Sequence, residues 1–292
     1  MPDNKTSNKP STTADLVAAV RALHVRQYSP PVFDDNLAFT MCSSFWKTVI
    51  RNRLLTRIVV YGILGKLNPI MPEIYVRARW AEDNVESAVE QGVDQVVILG
   101  AGYDSFALRR HDLMARIRLW EIDQAATQRE KFRRMDKHGL ERHANAHYVE
   151  ANFEVDPLHE VLKSAGVDLE RPAIFVWLGV TYYLTEEAIK TTLASISDHM
   201  AAGTVLCLDY MAGEEHTPDD WRELRAGCAA FVAKRGEPWV TDYDPAEVPA
   251  FLQGCGFSSV DNMLPSQIAP HYMHQHPSIP YPEIMGFARA VV

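Results

Sequence analysis

The sequence has no surplus of positive charge. Twenty-nine Lys and Arg residues stand against 38 Asp and Glu, giving a net charge of −9. A general nucleic-acid binder would show a basic face, so no nucleic-acid partner is expected, although a local basic pocket stays open. Cysteine is scarce. Cys42, Cys207, Cys228 and Cys255 are scattered without a C-x-x-C pair, and they are read as reduced thiols of a cytoplasmic protein. Long apolar runs are missing as well. The most apolar, Leu54 to Leu64, contains Arg57 and is too short to span a bilayer. It is expected to be a helix covering a core or a pocket, and no membrane partner is expected. The first fifteen residues are polar and lack the apolar stretch of a signal peptide. No internal repeat is visible.

Apolar material is nonetheless ample. The chain is 47% hydrophobic over 292 residues, enough for one large core or a core with an accessory region. Residues 1–10, rich in Asn, Lys, Ser and Pro, read as a disordered tail. Residues 11–92 read as an N-terminal helical cap. Ser11-Thr12-Thr13 caps a helix to about His24, and Pro30-Pro31 forces an extended turn. Residues 36–66 look helical, Pro69 and Pro72 break that region, and a helix from Glu73 to Glu90 leads into the first strand. From residue 93 onward strand and helix alternate. Strands are expected at 95–99, 117–122, 146–150, 173–178 and 204–210. Helices are expected near 104–111, 124–138, 156–165, 185–200, 216–234 and 245–254. Such alternation specifies an α/β fold with a mostly parallel sheet and helices on both faces. A lid insertion is expected around 211–245, then a strand near 258–264, a long Pro/His-rich loop, and a last strand at the C-terminus.

The most informative stretch is Gln95 to Arg110. A buried strand runs into Gly100-Ala101-Gly102 and a helix-compatible segment follows. Glycines at the C-terminal edge of a parallel sheet let backbone approach a ligand, because no Cβ intervenes. The next strand ends in Glu121-Ile122-Asp123. An acid about 20 residues after the glycine turn is placed to bind ribose hydroxyls. A nicotinamide dinucleotide would want G-x-G-x-x-G. Here Ser105 occupies the third glycine position and Tyr103-Asp104 follow the second. An acid at that point would face a pyrophosphate unfavourably. It suits a cofactor with an ammonium group and no phosphate, and S-adenosylmethionine is such a cofactor.

Gly100 to Ser105 resembles the LGAGxDTR segment of the leucine carboxyl methyltransferase family. Ser11 to Asp35 is similar to the N-terminal segment of its bacterial small-molecule branch. Arg77-Ala78-Arg79-Trp80 with Asp83 resembles the arginine-containing helix before the first strand. Trp177 to Thr185 matches that branch's WLGVTxYLT segment, and Leu208-Asp209-Tyr210 and Gly236-Glu237-Pro238-Trp239 also fit. The resemblance implies a Rossmann-like class I methyltransferase with an antiparallel C-terminal strand. It implies roles too. Gly100 and Gly102, with Ala101 and Tyr103 beside them, would approach the methionine part of the cofactor. Glu121 would hold the ribose diol, with Asp123 a second candidate on the same edge as Ile122. Arg77 would pair with the cofactor carboxylate. Asn152 would meet the adenine amine and Phe153 its ring. The family's nearer relatives of the leucine enzymes carry Glu-Gly where this chain has Leu178-Gly179, which puts a protein-phosphatase substrate in doubt and leaves the cofactor site in place.

Methyl transfer from a sulfonium is an in-line displacement whose main demand is alignment in a pocket that excludes water. A carboxylate nucleophile needs no base, whereas a phenol gains from one. No base stands out. Tyr183 and Tyr210 are the catalytic candidates, with Asp209 and Tyr182 at the same edge. His271, His274 and His276 suggest a metal by proximity, but no Cys or acid pattern completes a site, so no metal is expected; a substrate lid and a solvated loop remain as readings. Tyr28, Phe33, Phe39, Phe45, Trp46 and Tyr61 are expected to pack in the cap or roof an apolar pocket. The expected activity is S-adenosylmethionine-dependent O-methylation of a small acid, with carboxyl methyl ester formation favoured over methylation of a phenol or hydroxyl in a secondary-metabolite (polyketide) pathway. A nicotinamide oxidoreductase and a catalytically silent cofactor-binding protein are the competitors. The oligomeric state is left open.

Overall fold

The computed structural model describes residues 9–292. All but the last two residues of the expected disordered tail lie outside the described residues. Seven strands form one sheet: β1 Gln95–Leu99, β2 Arg118–Asp123, β3 Ala146–Glu150, β4 Ile174–Trp177, β5 Val205–Met211, β6 Ser259–Met263 and β7 Met285–Val291. Their order is β3-β2-β1-β4-β5-β7-β6, and β7 alone runs antiparallel to its neighbours. The central strands β1, β4 and β5 are buried throughout, as uninterrupted apolar runs covered on both faces must be. Register places Tyr210 opposite Gly286. A Cβ there would lie 2.2 Å from the tyrosine ring and hydroxyl, so this glycine makes room for a side chain on the next strand.

Alternation along the strands sorts two cores. One face, with Val96, Ile98, Leu119, Val176 and Cys207, packs against helix α5, Met71–Glu90. The other, with Leu99, Ile122, Trp177, Leu208 and Tyr210, packs against residues of the helices α9 Leu158–Ser164, α10 Glu186–Ser197 and α12 Val248–Gly254. The sheet order reverses between β1 and β4, where an open α/β sheet presents a crevice at the strand C-termini.

The cap differs from its expected outline. Helix α1, Thr12–Gln27, begins as expected, with Ser11 Oγ accepting from the Ala14 amide at 3.0 Å. The region 36–66 is broken into short pieces. Helix α2 spans Ala38–Met41, α3 spans Ser44–Arg51 and α4 spans Arg53–Thr56; a π-helical turn follows over Arg57–Ile63 and a 3-10 stretch over Gly65–Ile70. Ser43 and Asn52 cause two of the breaks, since their side chains accept from amides two or three residues on and offer the chain new starting points. Pro72 sits in the first turn of α5, where no backbone donor is needed. Two further corrections apply. The helix expected near 104–111 is two single turns, α6 Phe106–Arg109 and α7 His111–Met114. Part of the expected Pro/His-rich loop is a helix, Pro265–Tyr272. No single helix among the described residues is long and apolar enough to cross a membrane.

Candidate functional site

A cavity of about 1010 Å³ opens at the C-terminal ends of the strands, between the loops after β1 and β4 and beneath α1 and α5. Gly100 and Gly102 line it with φ of 69° and 53°, a region other residues enter at a cost. A Cβ on Gly100 would meet Val180 at 2.2 Å, so the two loops of the crevice touch there. Ala101 and Tyr103 also line the wall, but the Tyr103 ring turns into the cap under the Arg134 guanidinium. The turn is held from behind. Arg21 donates to the Tyr103 carbonyl at 2.9 Å and lies 3.5 Å from Asp104. Ser105, at the third glycine position, donates to Asp35 at 2.7 Å and accepts from Arg109 at 2.8 Å. All three partners are buried or nearly so, and Ser105 therefore serves as an anchor between sheet and cap. Burial opposes ionisation of Asp104, but Arg21, Lys131 and Arg109 outweigh it and hold the carboxyl below its usual range.

The acids of β2 separate. Asp123, at the strand end, lines the cavity and accepts from the Gly102 amide at 2.5 Å and the Gln124 amide at 2.6 Å. Glu121, the expected ribose ligand, does not line it. It lies one step back on the same face, 1% exposed, in an ion pair with the buried Lys131 of helix α8, Ala125–Lys137. Burial pushes its carboxyl up to about 7, with Lys131 pulling the other way. Ile122 points into the opposite core and is likewise not part of the wall.

Leu178 and Gly179 follow β4 at the wall. Gly179 has φ of 74°, and a Cβ on it would sit 2.7 Å from the Arg77 guanidinium. Arg77 reaches this point from α5. Its Nη1 donates to Asp209 at 2.9 Å and to the Tyr182 hydroxyl at 3.0 Å, while the Gly179 amide donates to the other Asp209 oxygen at 2.7 Å. Asp209 thus orients a buried cation and the loop it touches. Tyr183 lines the cavity, and burial pushes its hydroxyl up to about 12. Tyr210 does not. Neighbouring residues on a strand face opposite ways, so with Asp209 turned toward Arg77, Tyr210 turns into the other core, where its hydroxyl donates to Asn262 at 2.9 Å.

Asn152 and Phe153 follow β3 and line the outer wall. The Asn152 side-chain oxygen already accepts from the Glu154 amide at 3.1 Å, so it shapes its own turn, with one lone pair to spare. Phe153 tilts against Trp177 with ring centroids 6.3 Å apart.

Two further wall residues had no role assigned from the sequence: Glu237, noted there only within the Gly236–Trp239 stretch, and Glu73. Glu237, in the segment after helix α11, Asp219–Ala233, accepts from the Thr13 amide at 3.1 Å and from both Thr12 and Thr13 hydroxyls. Glu73, one turn before Arg77, is fully buried at the wall with neither carboxylate oxygen hydrogen-bonded. Its membership of an apolar helix face was the one signal available. The three histidines do not line the cavity. His274 faces the His271 carbonyl, and His276 faces the Pro30 carbonyl and the Tyr28 ring. Among the described residues no metal-ligand cluster is gathered. Of the cap aromatics, Phe33 lines the cavity, whereas Phe45 and Tyr61 face outward.

The family model for leucine carboxyl methyltransferase matches residues 14–197. A Bacillus subtilis protein named "Putative S-adenosyl-L-methionine-dependent methyltransferase" is 25% identical over 89% of this chain and 90% of its own length. A Streptomyces avermitilis protein of the same description is 28% identical over 93% and 92%. Among solved structures, a DUF574 family protein from Streptomyces avermitilis superposes with a TM-score of 0.62 at 12% identity, covering 98% of this chain and 99% of that one. At such identity the likeness concerns the fold alone. The donor set fits the cofactor that the relatives' names specify: a turn in which Gly100 and Gly102 present backbone without a Cβ, a pinned carboxylate at the end of β2, and a preoriented arginine. With the family match over most of its length, this chain belongs to the leucine carboxyl methyltransferase family and is an S-adenosylmethionine-dependent methyltransferase.

Proposed function

We propose that the protein methylates the carboxylate of a small, largely apolar acid, forming a methyl ester. When bound, S-adenosylmethionine supplies an electrophilic methyl group on a sulfonium. The Gly100–Gly102 backbone would take its methionine part and Arg77 its carboxylate. Asp123 would take the ribose hydroxyls, because its carboxylate reaches the wall while Glu121 is spent on Lys131. Phe153 would pack on the adenine.

The reading rests on one observation: near Arg77 the wall offers no group set to take a proton, because burial favours the protonated form of Glu73, the one unpartnered carboxyl there. Burial holds the Tyr183 hydroxyl at about 12, and raises Tyr182 further. Asp209 is engaged by Arg77 and the Gly179 amide. Much of the remaining surface there is apolar, from Leu67, Ile70, Met211, Phe231 and Met285. A nucleophile that arrives already ionised suits such a site, and a carboxylate is ionised at neutral pH. The chain's own contribution is then alignment and exclusion of water.

The test is turnover of a panel of aromatic and aliphatic acids and phenols, with products identified by mass spectrometry and rates followed against pH. Ester products and a rate flat above the acid's own pKa are expected, with Tyr183→Phe costing less than about tenfold. Phenol ethers, made at a rate climbing between about pH 7 and 9 and lost in Tyr183→Phe, would overturn the reading.

A further inference from the structure

From Asn36 to Pro72 the chain carries no Asp or Glu, yet it holds Lys47, Arg51, Arg53, Arg57 and Lys66. This is the sequence's sharpest departure from a net charge of −9. The same stretch is where apolar side chains meet water. Five of the eight exposed large hydrophobic residues among those described lie in it: Phe45, Leu54, Ile58, Tyr61 and Ile63, the last 75% exposed. Leu54, Ile58, Tyr61 and Ile63 are each about half exposed or more, along the short helix Arg53–Thr56 and the π-helical turn that follows it. Val49, Thr56 and Val60 occupy the inward side, so the segment is amphipathic with apolar groups on its solvent side as well.

Arg51, Arg53 and Arg57 form no ion pair among the described residues, and Arg51 lies over the Phe39 ring. Lys66 shares its charge with Glu223, and Lys47 contacts His138. At Ile63 the chain bends by 85° into the next helical segment, so Leu54–Ile63 forms one arm of a corner with its apolar side chains exposed. Leu64, Leu67 and Ile70, just beyond it, line the cavity.

We propose that this corner docks on the surface of an anionic phospholipid bilayer, lying in the interface rather than crossing it. An exposed apolar face framed by arginines matches such a surface, where acyl chains accept the first and lipid phosphates the second. Charge selects this occupant. A second copy pairing through the same face on a two-fold axis would set three unpaired arginines against three. The sequence itself pointed away from a membrane because no run was long enough to span one; in-plane docking requires no such run. It also places the wall of the substrate cavity next to the lipid, where an apolar acid concentrates.

The test uses the full chain and sedimentation with vesicles. Binding is expected to vesicles of equal parts phosphatidylcholine and phosphatidylglycerol, to be absent with phosphatidylcholine alone, and to weaken with salt. Ile63→Asp, and separately Arg53→Glu with Arg57→Glu, should each cut partitioning by at least about tenfold. Calorimetry with S-adenosylhomocysteine should be unchanged in both variants, which shows that they fold. No binding to the mixed vesicles at low salt overturns the proposal. So does binding that neither set of substitutions alters, or a dimer in sedimentation equilibrium that Ile63→Asp dissolves, since the face then belongs to a second copy.

Discussion

Glu121 and Asp123 stand two residues apart on one face of β2, and a single step along the strand separates their roles. Asp123 lies past the last packed layer and meets the cavity. Glu121 lies under it and is neutralised by Lys131. Their mutants should therefore fail differently. Asp123→Ala should weaken S-adenosylhomocysteine binding by roughly 2–3 kcal/mol in calorimetry, through lost charge-assisted hydrogen bonds to the ribose and a loosened Gly102 amide. Glu121→Ala should leave Lys131 buried without its partner and cost about 3–5 kcal/mol of stability, read as a drop in the denaturant midpoint. If Glu121→Ala stays stable and loses the cofactor while Asp123→Ala keeps it, the assignment is reversed. The sequence shows both acids at the right distance from the glycine turn. It does not show which one a lysine on the following helix will cover. For Asp209 and Tyr210 the answer was within reach: adjacent strand residues cannot both face α5, and only one of them can pair with Arg77.

At the scale of elements, the strands were legible almost to the residue. Buried parallel strands are short apolar runs bounded by turns, and β1 and β3 coincide with expectation. The cap between 36 and 70 was not legible, because its breaks depend on Ser43 and Asn52 competing with the helix for amides. Contacts between distant elements were beyond sequence altogether. The clearest is the clasp in which Glu237 caps the first turn of α1 through Thr12 and Thr13. A carboxylate at a helix N-terminus is stabilising, and here it joins the segment after α11 to a helix whose first turns line the cavity. Glu237→Ala should speed dissociation of S-adenosylhomocysteine by about three- to tenfold in stopped flow, and should hasten proteolysis ahead of Ala14. Glu237→Gln, which keeps an acceptor, should recover much of both. Unchanged rates in Glu237→Ala would mean that α1 is held by its packing alone.

Over the whole molecule, buried carboxyls set a pH dependence of stability, and Glu73 is the one with neither oxygen hydrogen-bonded. Glu73 is wholly enclosed with both oxygens unpartnered, and burial raises its carboxyl well above the ordinary range, Arg77 only partly opposing. The folded protein therefore keeps this proton over a span of pH in which the unfolded chain releases it. Where the native state binds more protons, stability falls as pH rises. The loss starts near the unfolded glutamate value of about 4.3 and continues until the folded group ionises, at roughly 1.4 kcal/mol per pH unit. Glu121, also raised, adds a slope of the same sign up to its value of about 7, so the isolated effect must be read by difference. Glu73→Gln cannot ionise and keeps the shape of the side chain. Its stability relative to wild type should grow steadily between about pH 5 and pH 7 in urea unfolding, with Glu121 contributing equally to both proteins. Below about pH 4 the two should converge on a constant offset. A difference that stays level across the whole range would mean that Glu73 is ionised in the fold and has a partner. The group sits beside Arg77 on the cavity wall, so the protein keeps a neutral acid where a second negative charge would compete with Asp209 for the arginine.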